Sequence, residues 1–82
     1  MALDLESDTL FSNVLAGLPR VAEVIATVPE GQRSLALDAA QQGYLRIARG
    51  AGYDEADAQE WSSAVMVRLR AESAREADST TG

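Results

Sequence analysis

The sequence predicts an all-α protein, built as a small bundle of three or four helices with a polar, disordered C-terminal tail. Apolar residues recur three and four positions apart in three stretches, the spacing that places them on one face of a helix. Glycine and proline residues lie between the stretches, where helices are expected to end. The clearest stripe consists of Phe11, Val14, Leu18, Val21, Ile25 and Val28.

The first stripe begins after Ser7 or Asp8, either of which can cap a helix by accepting hydrogen bonds from free backbone N–H groups. Pro19 lacks a backbone donor and disfavours helical geometry at the residue before it. We therefore predict a break there, followed by a second helix over residues 19–27. Because the apolar spacing continues across Pro19, one kinked helix over residues 8–28 is the alternative.

The next helix is predicted over residues 32–49, because the glycines that follow can adopt the left-handed conformations at which helices stop. Asp54 is the expected cap of the last helix, and the acidic residues after it suit the positive end of the helix dipole. The final residues show no apolar period. We predict a helical domain over residues 1–74 and a flexible tail over residues 75–82.

The inner stripes of these helices define the expected core. Leu35, Leu45 and Val67 fall outside the stripes when each helix is drawn at about 100° per residue. The predicted core residues are Phe11, Val14, Leu18, Val21, Ile25, Leu37, Tyr44, Ile47, Val65 and Leu69.

Composition excludes several kinds of site. The 82 residues include no cysteine and no histidine, which excludes disulfides, thiolate nucleophiles and zinc sites with Cys or His ligands. Helix capping explains Asp54 and Asp57 better than a metal does, since hard cations need about six oxygens in a defined geometry. We expect no enzymatic activity, no cofactor and no metal.

The N-terminal sequence predicts the compartment. Residues 1–6 show neither the basic region nor the apolar run of a secretion signal, and no apolar run approaches the roughly 20 residues of a membrane span. We expect a cytoplasmic protein without membrane contact.

The formal net charge of −6 is unevenly distributed, and residues 50–67 contain four acidic and no basic side chains. Such a patch repels phosphate backbones and attracts basic surfaces, including those of DNA-binding proteins. A solubilising surface is the simpler interpretation of the same charges.

Residues 28–70 resemble the helix-turn-helix of sigma factor region 4. The blocks that carry the resemblance are Ile47-Ala48 before the turn, Gly52-Tyr53-Asp54 within it, and Arg68-Leu69-Arg70 after it. The resemblance implies DNA binding through arginines at 46, 49, 68 and 70. A recognition helix needs donors in its first turn, and this one is acidic, so a small DNA-binding regulator is kept as the alternative function.

A short, acidic, helical chain with this outline also resembles the antiactivators of the QseM and TraM type, which act in quorum sensing and conjugative transfer. The resemblance implies a protein that binds a DNA-binding transcriptional activator and prevents it from engaging DNA. Direct nucleic-acid binding is then not expected. A structural subunit of a larger assembly is a further alternative.

The predicted partner-binding surface combines an apolar centre with an acidic rim. Trp61 and its neighbours form a wider apolar band than one packing contact requires, although core burial of Trp61 is an equal alternative. Tyr53 follows a glycine turn and is expected to be exposed. A homodimer is also expected, because the chain is short. The predicted surface consists of Tyr53, Trp61, Val65, Met66, Asp54, Glu55, Asp57 and Glu60.

Overall fold

The structure is a computed structural model that describes the backbone of residues 5–81 and the side chains of residue 5 and residues 7–75. Within this part of the chain all the regular structure is helical, which confirms the predicted all-α class. A short 3₁₀ turn precedes each of the first two helices, at Leu5–Ser7 and Glu30–Gln32. The helices are α1 (Thr9–Ala26), α2 (Arg33–Gly50) and α3 (Glu55–Thr81).

Helix α1 runs without interruption through Pro19, so the predicted break is wrong and the alternative of one helix is confirmed, while its kink stays a prediction. The ring of Pro19 points to solvent, while Leu18 and Ala22 on either side of it are buried against the rest of the bundle. A proline inside a helix costs about 3 kcal/mol. Burial of the continuous apolar stripe offsets that cost. Local sequence rules do not include this burial.

The connection between α1 and α2 is closed by Arg33. Its guanidinium donates from Nε to the carbonyl oxygen of Val28 at 3.1 Å and from Nη2 to that of Ala26 at 3.2 Å. A cation that donates to terminal carbonyls satisfies acceptors left free at the end of a helix and suits the negative end of its dipole. Arg33 therefore fixes the end of α1 from the first residue of α2.

The connection between α2 and α3 is a Schellman turn. Gly52 has φ +100°, and the amide of Tyr53 donates to the carbonyl oxygen of Ala48 at 3.2 Å. Asp54 caps α3 as predicted, since its Oδ1 accepts from the amide of Asp57 at 2.8 Å. Helix α3 continues to Thr81, beyond the predicted end at 74. Flexibility of residues 75–82 concerns mobility and stays a prediction.

The core forms where α1 and α2 both pack on α3. Six of the predicted core residues are buried, and Val14, Val21 and Leu37 are partly buried against them. The buried face of α2 is rotated from the predicted one, because Leu45 is buried and Ile47 is 41% exposed. The buried apolar residues are Phe11, Leu18, Ala22, Ile25, Tyr44, Leu45, Ala48, Ala58, Trp61, Val65, Met66 and Leu69.

Helix α1 has the length and apolar composition that could cross a membrane, alone among the helices in the described part of the chain. The sequence analysis found no apolar run approaching a membrane span, and Arg20 and Glu23 lie within this helix. Core helices of soluble bundles share these properties, and the buried residues of α1 belong to the core described above. The absence of membrane contact stays a prediction.

Candidate protein-binding site

The predicted apolar centre is part of the core. Trp61 and Val65 are fully buried and Met66 is 3% exposed, so the prediction that these residues form an accessible surface is wrong for this conformation. Both α1 and α2 pack on α3, so an apolar band that is too wide for one helix contact is buried by two helices. Any partner must bind elsewhere on the surface.

Asp8 joins the start of α1 to the α2–α3 turn. Its Oδ1 accepts from the amide of Phe11 at 3.1 Å, as a helix cap does. Its Oδ2 accepts from the hydroxyl of Tyr53 and from Nε1 of Trp61, the latter at 3.2 Å. The sequence indicated the cap but not these two partners, which lie 45 and 53 residues away.

The aromatic rings around this carboxylate pack on one another. The ring centroids of Phe11 and Trp61 are 6.0 Å apart in an edge-to-face arrangement, and those of Tyr53 and Trp61 are 6.5 Å apart. Tyr53 was predicted to be exposed, but it is half-buried because its ring covers the indole. Its role here is structural, and only part of its surface is available to a partner.

The hydrogen bonds of this cluster shift two pKa values. Burial raises the pKa of Asp8, but the hydrogen bonds from Tyr53, the Phe11 amide and Trp61 outweigh burial, so the pKa lies below its usual 3.8. The hydrogen bond to Asp8 raises the pKa of Tyr53 above its usual 10.0, with smaller contributions from burial and from nearby carboxylates. Asp8 is thus ionised and Tyr53 neutral at pH 7.

Two of the four predicted acidic rim residues have structural partners. Asp54 caps α3, and Glu55 accepts from the guanidinium of Arg49 at 3.0 and 2.8 Å. Both side chains of that ion pair are about half exposed or more, so it contributes little to stability. Asp57 and Glu60 remain as the rim carboxylates whose side chains carry no such contact within the described residues.

An open apolar groove of about 460 Å³ lies between α1 and α3. Val67, which is 65% exposed, forms one edge, and Leu15 of α1 lies on the other. Asp57 and Glu60 precede Ala64 by seven and four residues, so they lie on the same face of α3 as this groove. The lining residues are Leu5, Phe11, Ser12, Leu15, Ala64, Val67 and Arg68.

None of these lining residues was among the predicted partner-binding set. Val67 was recognised as lying off the inner stripe of the last helix, which was a sequence signal for one edge of the groove. The other wall depends on how α1 crosses α3, which a helical wheel does not specify.

The four arginines implied by the helix-turn-helix resemblance are divided between the end of α2, which carries Arg46 and Arg49, and the middle of α3. Arg49 is paired with Glu55 near the turn. Arg68 and Arg70 lie 13 and 15 residues after the start of α3, which is about 20 Å along the helix axis at 1.5 Å per residue. The end of α3 that would approach DNA therefore carries acidic side chains, with the cations displaced along the helix.

Among the described residues, no group of three or more His, Cys, Asp or Glu side chains is arranged to hold a metal ion. No protein-family model, no curated protein and no solved structure matches this chain.

Proposed function

We propose that this chain is a non-enzymatic interaction protein that binds a DNA-binding transcriptional activator and inhibits it. The observation that carries the proposal is the open apolar groove between α1 and α3, with acidic residues on the same face of α3. The groove replaces the Trp61 band as the proposed contact centre. The resemblance to antiactivators supports the same class of partner.

The groove suits the apolar side chains of a partner helix. An amphipathic helix binds such a groove by inserting side chains spaced three or four residues apart. Leu15 and Val67 give apolar surface on the two sides, and a volume of about 460 Å³ has room for more than one inserted side chain. Burial of these side chains would supply most of the affinity.

The charges favour a basic partner. The chain carries a net charge of −6, and Asp57 and Glu60 lie about two turns and one turn, respectively, before Ala64 of the groove on α3. Complementary charge accelerates encounter and orients the partner more than it adds affinity. A DNA-binding activator presents a basic surface of this kind, and its occupation by an acidic protein excludes DNA.

The α2–turn–α3 arrangement supports DNA binding as a second candidate function, because its Schellman turn joins two helices as in a helix-turn-helix. Asp57 and Glu60 in the first turns of α3 would repel phosphates. We therefore propose inhibition of a DNA-binding activator rather than direct DNA binding.

The groove can be tested with two adjacent substitutions on α1. Ser12 lines the groove, whereas Asn13 is exposed and turned by about 100° around the helix. Ser12→Trp fills the groove, and Asn13→Trp adds the same side chain elsewhere. Immobilised wild-type protein and both variants are exposed to a lysate of the native host, and the proteins retained by the wild type and Asn13→Trp but lost by Ser12→Trp are identified.

Each groove-dependent protein is then purified and bound to its DNA in a mobility-shift assay. We expect a transcriptional activator that the wild type and Asn13→Trp release from DNA and Ser12→Trp does not. If Ser12→Trp retains all the proteins that the wild type and Asn13→Trp retain, the groove is refuted as the binding site. A groove-dependent protein that does not bind DNA, or stays bound to it, would refute the antiactivator function.

A further inference from the structure

The solvent face of α3 carries a second set of regularly spaced residues. They follow one another at intervals of four, three, four, three and four residues, which places them on one face opposite the buried residues of the same helix. All of them are exposed, and Val67 is the large apolar member. The residues are Ala56, Glu60, Ser63, Val67, Arg70 and Ala74.

This face is self-complementary about the level of Val65. Glu60 and Arg70 lie five residues before and after that level, and Ser63 and Val67 lie two residues before and after it. Glu60 and Arg70 are the charged residues of this face, and their charges have opposite sign. Neither Glu60 nor Arg70 has an ion-pair partner within the described part of the chain.

We propose that α3 pairs antiparallel with α3 of a second copy of this chain, about a two-fold axis at the level of Val65. Each Glu60 then lies opposite Arg70 of the other copy, and each Val67 packs beside Ser63. A parallel pairing would place Glu60 against Glu60 and Arg70 against Arg70, which like charges disfavour. Both ion pairs follow from one symmetry axis, so the charges select this register.

Burial of Val67 is the apolar gain of this pairing, since 65% of its surface is exposed in the single chain. Short side chains at the neighbouring positions of the face allow the two helix axes to approach closely. The ion pairs lie on the solvent face and so act mainly on register and orientation. The dimer is therefore weak, and its population depends on protein concentration and salt.

The proposed dimer shares Val67 with the groove between α1 and α3. Self-association and regulator binding then compete for Val67. The partner binds the single chain and shifts the equilibrium away from the dimer. This consequence rests on the proposed function, whereas the dimer itself does not. Measurements on the isolated chain test the dimer alone.

Sedimentation equilibrium over a range of concentrations at low salt measures the dimer dissociation constant. Glu60→Arg and Arg70→Glu each replace two attractive pairs by two repulsive ones, and each is expected to weaken the dimer about tenfold. The double variant Glu60→Arg/Arg70→Glu restores both pairs with the signs exchanged, so its dissociation constant is expected to return close to that of the wild type.

Glu23→Arg and Arg46→Glu are the matched controls, because both residues are exposed and lie on α1 and α2. They should leave the dissociation constant unchanged. The proposal is overturned by a wild type that stays monomeric at millimolar concentration, by a double variant as weak as the single ones, or by controls with the same effect. Circular dichroism confirms that each variant keeps its helix content.

The lack of cysteine in the chain permits a second measurement. A mixture of Ser63→Cys and Val67→Cys chains should form mixed disulfide dimers faster than either chain alone, because the proposed register places these two positions opposite each other. Preferential cross-linking of Val67→Cys with itself would overturn the register.

Discussion

Asp8 and Trp61 meet through a 3.2 Å hydrogen bond from the indole Nε1 to the carboxylate Oδ2. The same carboxylate caps α1 through its other oxygen. One side chain therefore connects the beginning of the first helix with the fully buried indole of the third. This contact explains why the N-terminal wall of the groove, which includes Leu5, is held next to α3.

Removal of the Asp8 carboxylate is expected to destabilise the fold. Asp8→Ala deletes the cap of α1 and leaves the Tyr53 hydroxyl and the Trp61 N–H without their acceptor, at a cost of about 2–3 kcal/mol in unfolding free energy. Asp8→Asn keeps an oxygen for the cap and should cost about half as much. Urea denaturation measures both. Asp38→Ala, on the exposed face of α2, is the control and should stay within about 0.5 kcal/mol.

Stability should fall in acid because the folded-state pKa of Asp8 is lowered. A carboxyl group with a depressed pKa stabilises the fold above its unfolded pKa, and this contribution is lost as the pH falls through the folded pKa. The difference in unfolding free energy between wild type and Asp8→Asn should therefore be largest near neutral pH and shrink below pH 3.8. Denaturation at a series of pH values measures it, and a constant difference down to the lowest pH would contradict the assignment.

Tyr53→Phe tests the hydroxyl alone. The ring still packs on Trp61, while Asp8 loses one donor, so the unfolding free energy should fall by about 1 kcal/mol. The pKa of Asp8 should rise, because one of the hydrogen bonds that lower it is gone. Carboxyl NMR titration measures the pKa. Tyr44→Phe is the control at the other tyrosine. An equal rise in the Asp8 pKa in that variant would argue against a direct contact between Tyr53 and Asp8.

The sequence predicted the helices better than it predicted the site, for a physical reason. Helix periodicity, the Asp54 cap and the glycine turn are local properties and could be recognised from neighbouring residues. Burial of Trp61 depends on how many helices pack on α3, and the second oxygen of Asp8 depends on partners far along the chain. Val67 was recognised as lying outside the inner stripe of its helix, but the groove beside it requires α1 in place.

Two glycines should respond to alanine with opposite signs. Gly52 has φ +100°, which an L-residue adopts only with strain, so Gly52→Ala should lower the unfolding free energy by about 1 kcal/mol. Gly43 lies inside α2, and a Cβ there would meet no atom within 4 Å. Gly43→Ala should therefore raise the unfolding free energy by up to about 1 kcal/mol. Thermal unfolding followed by circular dichroism compares the two, and equal signs would contradict the turn geometry.

Pro19→Ala should stabilise the protein. Pro19 lies inside α1 on its exposed side and cannot donate to the carbonyl of Leu15 four residues earlier, so alanine restores one helical hydrogen bond. The full helix penalty of proline is about 3 kcal/mol, but proline also restricts the unfolded chain, and the net gain is expected to be about 1–2 kcal/mol. Arg20→Ala, at the next exposed position, should change stability by less than about 0.5 kcal/mol. A destabilised Pro19→Ala protein would show that α1 requires a proline-induced bend to pack its stripe against α3.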